Sequence, residues 1–308
     1  MLFECGFYIL LFIFISLLFV MYQLFPRVDK SYIQCETDKQ QIQMGKQFWS
    51  TKRVVVCGLI RDGMGRFPKV RRQIEELLTS VNEYTILIVE NDSKDGTRDY
   101  LLEWTDKNDN VKILGCGGIN LKECKLKMKK TDNHGFDMYR IQKMATLRNV
   151  YMEELQKEKY DNIDYILVWD MDLDGEMDIN GFYQTGFELS KQPTIDAICV
   201  NGIIENFARI RSYAYYDTYA YRKHGDRFGK KVFYDLMYRY PAKCDSELQQ
   251  VRSCFGGLVV YNFNTFRNKK YGTELNMYNE PICEHDYLNR ELSEVYVNPK
   301  WLYLLAEH

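Results

Sequence analysis

Asp170, Asp172 and Asp174 occupy alternate positions directly after the apolar run Tyr165-Ile166-Leu167-Val168-Trp169, and Gly175 follows them. A run without polar alternation fits a parallel strand covered on both faces. Open α/β sheets gather their ligands at the carboxyl ends of such strands. Carboxylates crowded there repel one another and are costly to desolvate unless a cation neutralises them. A divalent ion does so, and one held by only one or two protein carboxylates fills its remaining positions with phosphate oxygens. The chemistry indicated is a metal–diphosphate site, with Mn²⁺ or Mg²⁺ as the ion. Two plainer readings compete. Asp170, Asp172, Asp174 and Gly175 match the start of a helix–loop–helix calcium site, but its twelfth position is Gly181 rather than Glu and a strand precedes it. The other reading is a solvated acidic turn after a core strand.

The elements that must position these residues recur along the chain. Residues 53–60 form a β-branched strand, the turn-rich Arg61-Asp62-Gly63-Met64-Gly65-Arg66 follows, and Val70, Ile74, Leu77, Leu78 and Val81 recur at helical spacing. Residues 85–90 are a second apolar strand ending in Asn91-Asp92-Ser93-Lys94-Asp95-Gly96-Thr97, and residues 111–114 a third. This alternation predicts βαβ units and a parallel sheet. A long loop with a basic run from Lys122 to Lys130 comes next, read as a solvated face. A helical pattern from Asp137 carries Arg148 on its semi-apolar face, where a guanidinium needs an anionic partner such as Asp170. Residues 203–240 are dense in Tyr and Arg and suit either an acceptor surface or a packed hairpin. Paired glycines at 256–257 enter a further strand and permit close backbone approach. Glu284, His285 and Asp286 open a late helix, where acidic residues are also ordinary caps.

Together these segments resemble the GT-A superfamily of nucleotide-sugar transferases. V-E-N-D-S-K-D-G-T at 89–97 resembles the superfamily's donor loop, T-L-R-N at 146–149 its A-R-N segment, and D-M-D at 170–172 its metal motif. The E-N-D-S-K-D-G-T, D-M-D and S-C-F-G-G elements are also similar to the capsule-associated α-1,3-mannosyltransferase family. The resemblance implies an α/β, Rossmann-like, mostly parallel sheet flanked by helices. It implies Glu90 on the nucleobase, where a carboxylate that only accepts suits an N–H edge. Asp92 stands where the superfamily loop has Gly, which bears on the loop's backbone. Arg148 is implied to face the donor, with a structural ion pair as the alternative. Asp170 falls on the ribose side or shares the metal with Asp172, Asp174 is a spare ligand, and Gly256 and Gly257 lie beside the donor sugar. Asp286 or Glu284 is the base if the reaction inverts, and His285 completes the metal shell in the retaining pattern. The donor is a GDP- or UDP-sugar, the transferred group a mannose-like hexose, and the acceptor a glycan or glycoconjugate hydroxyl. Asp178 is expected to cap a helix.

Composition bounds the rest. Hydrophobic content of 46% and charged content of 27% are globular values, and a net charge of −2 excludes a general basic field for nucleic acid. Cys5 to Phe25 is almost wholly apolar and long enough to span a bilayer, without a basic leader or a small-residue cleavage site. The expected organisation is a transmembrane anchor at 1–25, a stem at 26–50 and a catalytic domain at 51–308, its donor half about 51–175 and its acceptor half about 176–308. The expected localisation is single-pass membrane. The class points the domain to the Golgi or endoplasmic reticulum lumen, whereas Arg27 and Lys30 after the span favour the cytosol. The sequon Asn91-Asp92-Ser93 also favours the cytosolic side, because a glycan there would obstruct the donor. Cys57, Cys199 and Cys254 read as packed thiols, and Cys35, Cys116, Cys124, Cys244 and Cys283 as candidates for pairing. Two other functions were weighed. Gly63-Met64-Gly65-Arg66-Phe67-Pro68-Lys69 is similar to the phosphate loop of sugar-nucleotide pyrophosphorylases, and a membrane-tethered carbohydrate- or calcium-binding protein would use the aromatic stretch and the aspartate loop.

Overall fold

Val54, Val55, Val56 and Cys57 are completely buried, as expected of β-branched residues in a strand covered on both faces. The structure is a computed structural model that describes residues 14–17, 30–115, 138–206, 212–226, 241–277 and 279–306. In chain order the elements are α1 (Lys39–Trp49), β1 (Arg53–Ile60), α2 (Phe67–Leu78), β2 (Glu83–Glu90), α3 (Thr97–Lys107) and β3 (Val111–Leu114). Then come α4 (Met138–Glu154), β4 (Tyr165–Trp169), β5 (Gly175–Met177), α5 (Ile179–Lys191), β6 (Ala197–Asn206) and β7 (Ser212–Tyr215). The last are β8 (Gln249–Val251), β9 (Leu258–Asn262), α6 (Phe263–Phe266), α7 (Glu284–Asn289) and β10 (Val295–Leu305).

All ten described strands join one sheet, in the order β3-β2-β1-β4-β9-β6-β10-β5, with β7 on β6 and β8 on β10. The first four run parallel. β9 is antiparallel to both β4 and β6, and β10 returns parallel to β6. The α/β expectation holds, with a sheet more mixed in its second half than the sequence pattern suggested. Alternate residues of β1 point to opposite faces, as the period of a strand requires. Val54 and Val56 pack with α2, α3, Trp49 and Phe182, and Val55 and Cys57 pack with Leu147, Tyr151 and Met152 of α4. Pro68 sits in the first turn of α2, where its missing N–H has no intrahelical partner to lose.

Register brings the parallel strand ends level. Ile60 lies opposite Glu90, and Cys57 lies opposite Val168. Gly58 has no side chain where the loop after β4 folds back over β1; a Cβ there would lie 2.2 Å from Met171 Cε. Met171 is therefore completely buried, and Leu173 nearly so. Burying two such side chains stabilises the loop by about 1.5–3 kcal/mol each.

Within residues 26–50, α1 packs on α5. Trp49 stacks on Phe182 of α5 at 4.4 Å between ring centroids, and its Nε1–H donates to the Phe182 carbonyl at 2.9 Å. The sequence hid this because the partner lies far along the chain. The expectation of a single-pass membrane protein is corrected: among the described residues no helix is long and apolar enough to cross a membrane. Only Phe14 to Leu17 of the predicted span are described, and the rest of it lies outside the described residues. The basic run 122–130 lies outside them too, as do Cys116 and Cys124.

Cys199 and Cys254 form a disulfide between β6 and the approach to β9, correcting their reading as packed thiols, and Cys35 pairs with Cys244. Cys57 and Cys283 are buried free thiols. Disulfides form and persist in oxidising environments. Asn91 is 3% exposed, so the sequon is closed to a glycan in the folded chain and carries no information on orientation.

Candidate active site

The loop after β4 presents its acids by alternation. Met171 and Leu173 are buried in the core, whereas Asp172 is exposed and Asp170 and Asp174 are partly exposed. Asp170 is fixed at the strand end by its own N–H, which donates to the Gly257 carbonyl at 3.0 Å. Gly256 and Gly257 have φ of 67° and 94°, conformations that favour glycine. A Cβ on Gly257 would meet Leu173 Cδ1 at 2.7 Å, so this glycine makes room for the aspartate loop as well as bordering the site.

Arg148 of α4 is 2% exposed and joins two acids. Its Nη2 donates to Asp170 Oδ1 at 3.3 Å and its Nε to Glu284 Oε1 at 3.2 Å. Nη1 is buried with no hydrogen-bond partner, and Arg148 lines a cavity of about 140 Å³. Arg148, Asp170, Tyr216, Asp217, Glu284 and His285 all line that cavity. Arg148 is thus a structural ion pair that also lines the cavity.

Burial pushes Asp170 up to about 7, with Asp172 and Asp217 adding like charge and Arg148 opposing them. The sign of the linkage follows. The folded state holds a proton on Asp170 that the unfolded chain releases, so its contribution to stability is complete below about pH 4 and is lost as pH rises through about 7. In metal-free buffer the urea midpoint of wild type is expected to fall between pH 4.5 and 7.5 relative to that of Asp170→Asn, and parallel curves would refute this.

Asp172 is exposed. Arg66 Nη1 donates to its backbone carbonyl at 3.4 Å, and its carboxylate takes no partner among the described residues. Asp174 instead pairs with Lys69 at 3.3 Å, which removes it as a free ligand. Arg66 and Lys69, the cations of the segment similar to a pyrophosphorylase loop, are therefore engaged in holding the aspartate loop. Asp174, the fifth position of a calcium loop, is engaged by Lys69.

Glu90 is completely buried at the end of β2. Its Oε2 takes Arg98 Nη2 at 2.7 Å and its Oε1 the Ser93 N–H at 2.6 Å. Both oxygens are used within the loop, so Glu90 shapes the loop and orients Arg98. Asp92 has φ 57°, the left-handed region that Gly takes most readily and Asp tolerates. Asp95 accepts from the N–H groups of Met64 and Thr97 and ties this loop to residues 61–66.

α7 carries three of the predicted residues, each in a different setting. Glu284 faces Arg148 and the cavity. His285 stacks on Phe255 at 3.9 Å between centroids, with both ring nitrogens unpartnered, and burial holds it well below the usual imidazole range. Asp286 is completely buried and faces away from the cavity lining. It accepts from Arg252 Nη2 at 3.2 Å, with Arg222 Nε at 3.5 Å and Arg290 Nε at 3.8 Å. Three cations around one carboxylate make Asp286 a structural anchor for α7. Among the described residues no three His, Cys, Asp or Glu side chains are grouped to hold a metal ion, so Asp170, Asp172 and His285 do not form a closed ligand set.

Asp217 was missed by the sequence reading. It lies in the cavity with φ 57° and has no ion pair among the described residues. Burial pushes it up to about 6, with Glu284 adding like charge against the Ala220 amide, Arg148 and Arg222. A signal existed: it is the sole acid between Glu205 and Asp226 in a stretch otherwise rich in Tyr and Arg.

The rim of the parallel strands thus carries carboxylates joined by a buried arginine. Residues 67–289, well over half of the chain, match the family described as Cryptococcal mannosyltransferase 1, and the chain belongs to that family. Among curated proteins none matches in sequence. Among solved structures it is similar to residues 1–349 of S. aureus TarS, with 11% identity, a TM-score of 0.47, and 82% of this chain and 60% of that one covered. It is also similar to the mannosyltransferase PcManGT from Pyrobaculum calidifontis in complex with GDP-Man and Mn²⁺ (10%, 0.41, 86% and 63%). A third is GalNAc-T7 with UDP, GalNAc and Mn²⁺ (12%, 0.47, 84% and 44%). The chain spans less than two thirds of each of these structures.

Proposed function

We propose that this glycosyltransferase moves a mannose-like hexose from a GDP- or UDP-sugar to a glycan hydroxyl, with a divalent cation at Asp172 and Asp170. The observation that carries the reading is the placement of these two carboxylates at the end of β4, Asp172 exposed and Asp170 on the cavity wall. The residues fit a cation: Asp170 is crowded by like charge, and Asp172 offers a carboxylate without a protein partner. The ion when bound supplies Lewis-acid stabilisation of the charge on the departing nucleoside diphosphate. Held by so few protein ligands, it leaves positions for diphosphate oxygens.

The side chains have separate tasks. Arg148 holds Asp170 and Glu284 in place from the wall of the cavity. Glu284 is neutralised by Arg148 and Asp286 by three arginines, so neither is a free base. Asp217 is the cavity carboxylate without such a partner, and it takes the proton of the attacking hydroxyl. Asp217→Asn is expected to lower kcat by about 10²- to 10⁴-fold, the usual contribution of a general base, and to remove the acidic limb of the pH–rate profile near pH 6. An unchanged profile would remove Asp217 from this role.

The reading is tested with a panel of GDP- and UDP-sugars, scored for nucleotide release by the purified protein with Mn²⁺ and with chelator. Release of the nucleoside diphosphate from one donor, dependent on the metal, is expected. Release of pyrophosphate from a nucleoside triphosphate, or no metal dependence, would refute it.

A further inference from the structure

Gln73 is the polar residue among the buried positions of α2, and it is 3% exposed. A buried amide is costly unless its donor and its acceptor are both used. Here both are used on one short strand. The Gln73 Nε2–H donates to the Gly175 carbonyl at 3.0 Å, and Oε1 accepts from the Met177 N–H at 2.7 Å. β5 ends the sheet order, with β10 along one side of it. On that side the Ala306 N–H donates to the Asp174 carbonyl at 2.8 Å and the Asp178 N–H to the Leu302 carbonyl at 2.9 Å. Strand alternation turns the Gly175 carbonyl and the Met177 N–H to the opposite edge. The Gln73 amide meets that edge with one donor and one acceptor, as a neighbouring strand would.

This strand begins directly after the aspartate loop. Asp170 is held by its own contacts, from Arg148 and from the Gly257 carbonyl. Asp172 has no side-chain partner among the described residues, so its place is set by its backbone. Upstream that backbone is fixed at Asp170, and on either side of Asp172 by the buried Met171 and Leu173. Downstream the first fixed point is Gly175, where a Cβ would lie 2.5 Å from the Leu304 carbonyl oxygen. The cations of α2 add a weaker hold. Lys69 pairs with Asp174 and Glu176 at 3.3 Å each, but its side chain is 33% exposed and theirs 40% and 61%. Pairs so open to solvent contribute little, so the buried amide is the stronger anchor.

We propose that Gln73 is a positioning residue for the cation site: by closing the outer edge of β5 it fixes the loop behind Asp172 and keeps that carboxylate in register with Asp170. The inference rests on the reading of these two aspartates as ligands of a divalent cation. Residues that orient the ligands of a metal typically matter about 10- to 100-fold in affinity or activity, because a ligand must be held before the ion arrives.

The test uses the full chain and two readings that do not depend on transfer. Mn²⁺ affinity is measured by electron paramagnetic resonance with GDP or UDP present, and amide hydrogen exchange is followed over residues 165–177 in metal-free buffer. Gln73→Met keeps the length of the side chain and removes both hydrogen bonds. It is expected to bind Mn²⁺ about 10- to 100-fold more weakly and to exchange faster at 171–177, with 165–169 unchanged. If Gln73→Met does not fold, the same readings are taken on Gln73→Ala, where water can reach the freed backbone groups. Lys69→Met is expected to weaken Mn²⁺ binding by less than about fivefold, the scale of an exposed pair. Trp49→Phe also loses a buried hydrogen bond, to the Phe182 carbonyl, and is expected to bind Mn²⁺ as wild type does. Wild-type Mn²⁺ affinity in the Gln73 variant, unchanged exchange at 171–177, or an equal loss of affinity in Trp49→Phe would overturn the proposal and leave the cation reading standing. Absence of nucleotide-dependent Mn²⁺ binding in wild type would refute the cation reading, and the proposal with it.

Discussion

Asp172→Asn is expected to cost most of the sugar transfer while leaving the fold as stable as wild type. The carboxylate is exposed and has no partner among the described residues, so its removal breaks no contact that folding uses. Substitutions at such positions usually change stability by less than about 0.5 kcal/mol. The catalytic cost is of a different order. Several kcal/mol of transition-state stabilisation come from a metal acting on a departing phosphate, and each 1.36 kcal/mol is about tenfold in rate, so a fall of about 10³-fold or more is expected. Single-turnover assays and thermal melts of both proteins separate the two effects. The neighbouring change Asp174→Asn serves as control, since Asp174 is engaged by Lys69.

Arg148→Met has the opposite signature, a large loss of stability together with loss of activity. The guanidinium is buried between Asp170 and Glu284, and Glu284 is itself 5% exposed. Breaking a buried ion pair from one side strands the other charge, at a cost of about 3–5 kcal/mol. Arg148→Met with Glu284→Gln is expected to recover part of the stability by removing the stranded charge, but not the activity, because Asp170 still lacks its guanidinium partner. Urea titrations of the two single variants and the double variant measure this coupling. Additive losses would show that the pair is not an energetic unit.

What could be read in the sequence was what depends on local pattern. The apolar run 165–169 ending in alternating acids is a local signal, and the structure places both where the pattern puts them. Arg148 on a semi-apolar helix face required an acid, and Asp170 proved to be one of two. What was hidden depends on long-range pairing. Nothing near Trp49 announces Phe182, and nothing near Cys199 announces Cys254. The acids of α7 read alike in sequence; only the fold surrounds Asp286 with arginines and leaves Glu284 at the cavity. Asp217 escaped because an isolated acid in an aromatic stretch has no spacing partner. Its significance comes from a left-handed turn that places it opposite residues more than forty positions away. The apolar N-terminal run suggested a span; among the described residues, which include only 14–17 of that run, no helix is long and apolar enough to cross a membrane.

The paired roles of Asp170 and Asp172 are tested most directly by Mn²⁺ binding, followed by electron paramagnetic resonance with GDP or UDP present. One tightly held ion per chain is predicted for wild type, dependent on the nucleotide and lost in Asp172→Asn. Equal Mn²⁺ binding by wild type and Asp172→Asn, or binding that ignores the nucleotide, would contradict the assignment of these aspartates to a cation held against a diphosphate.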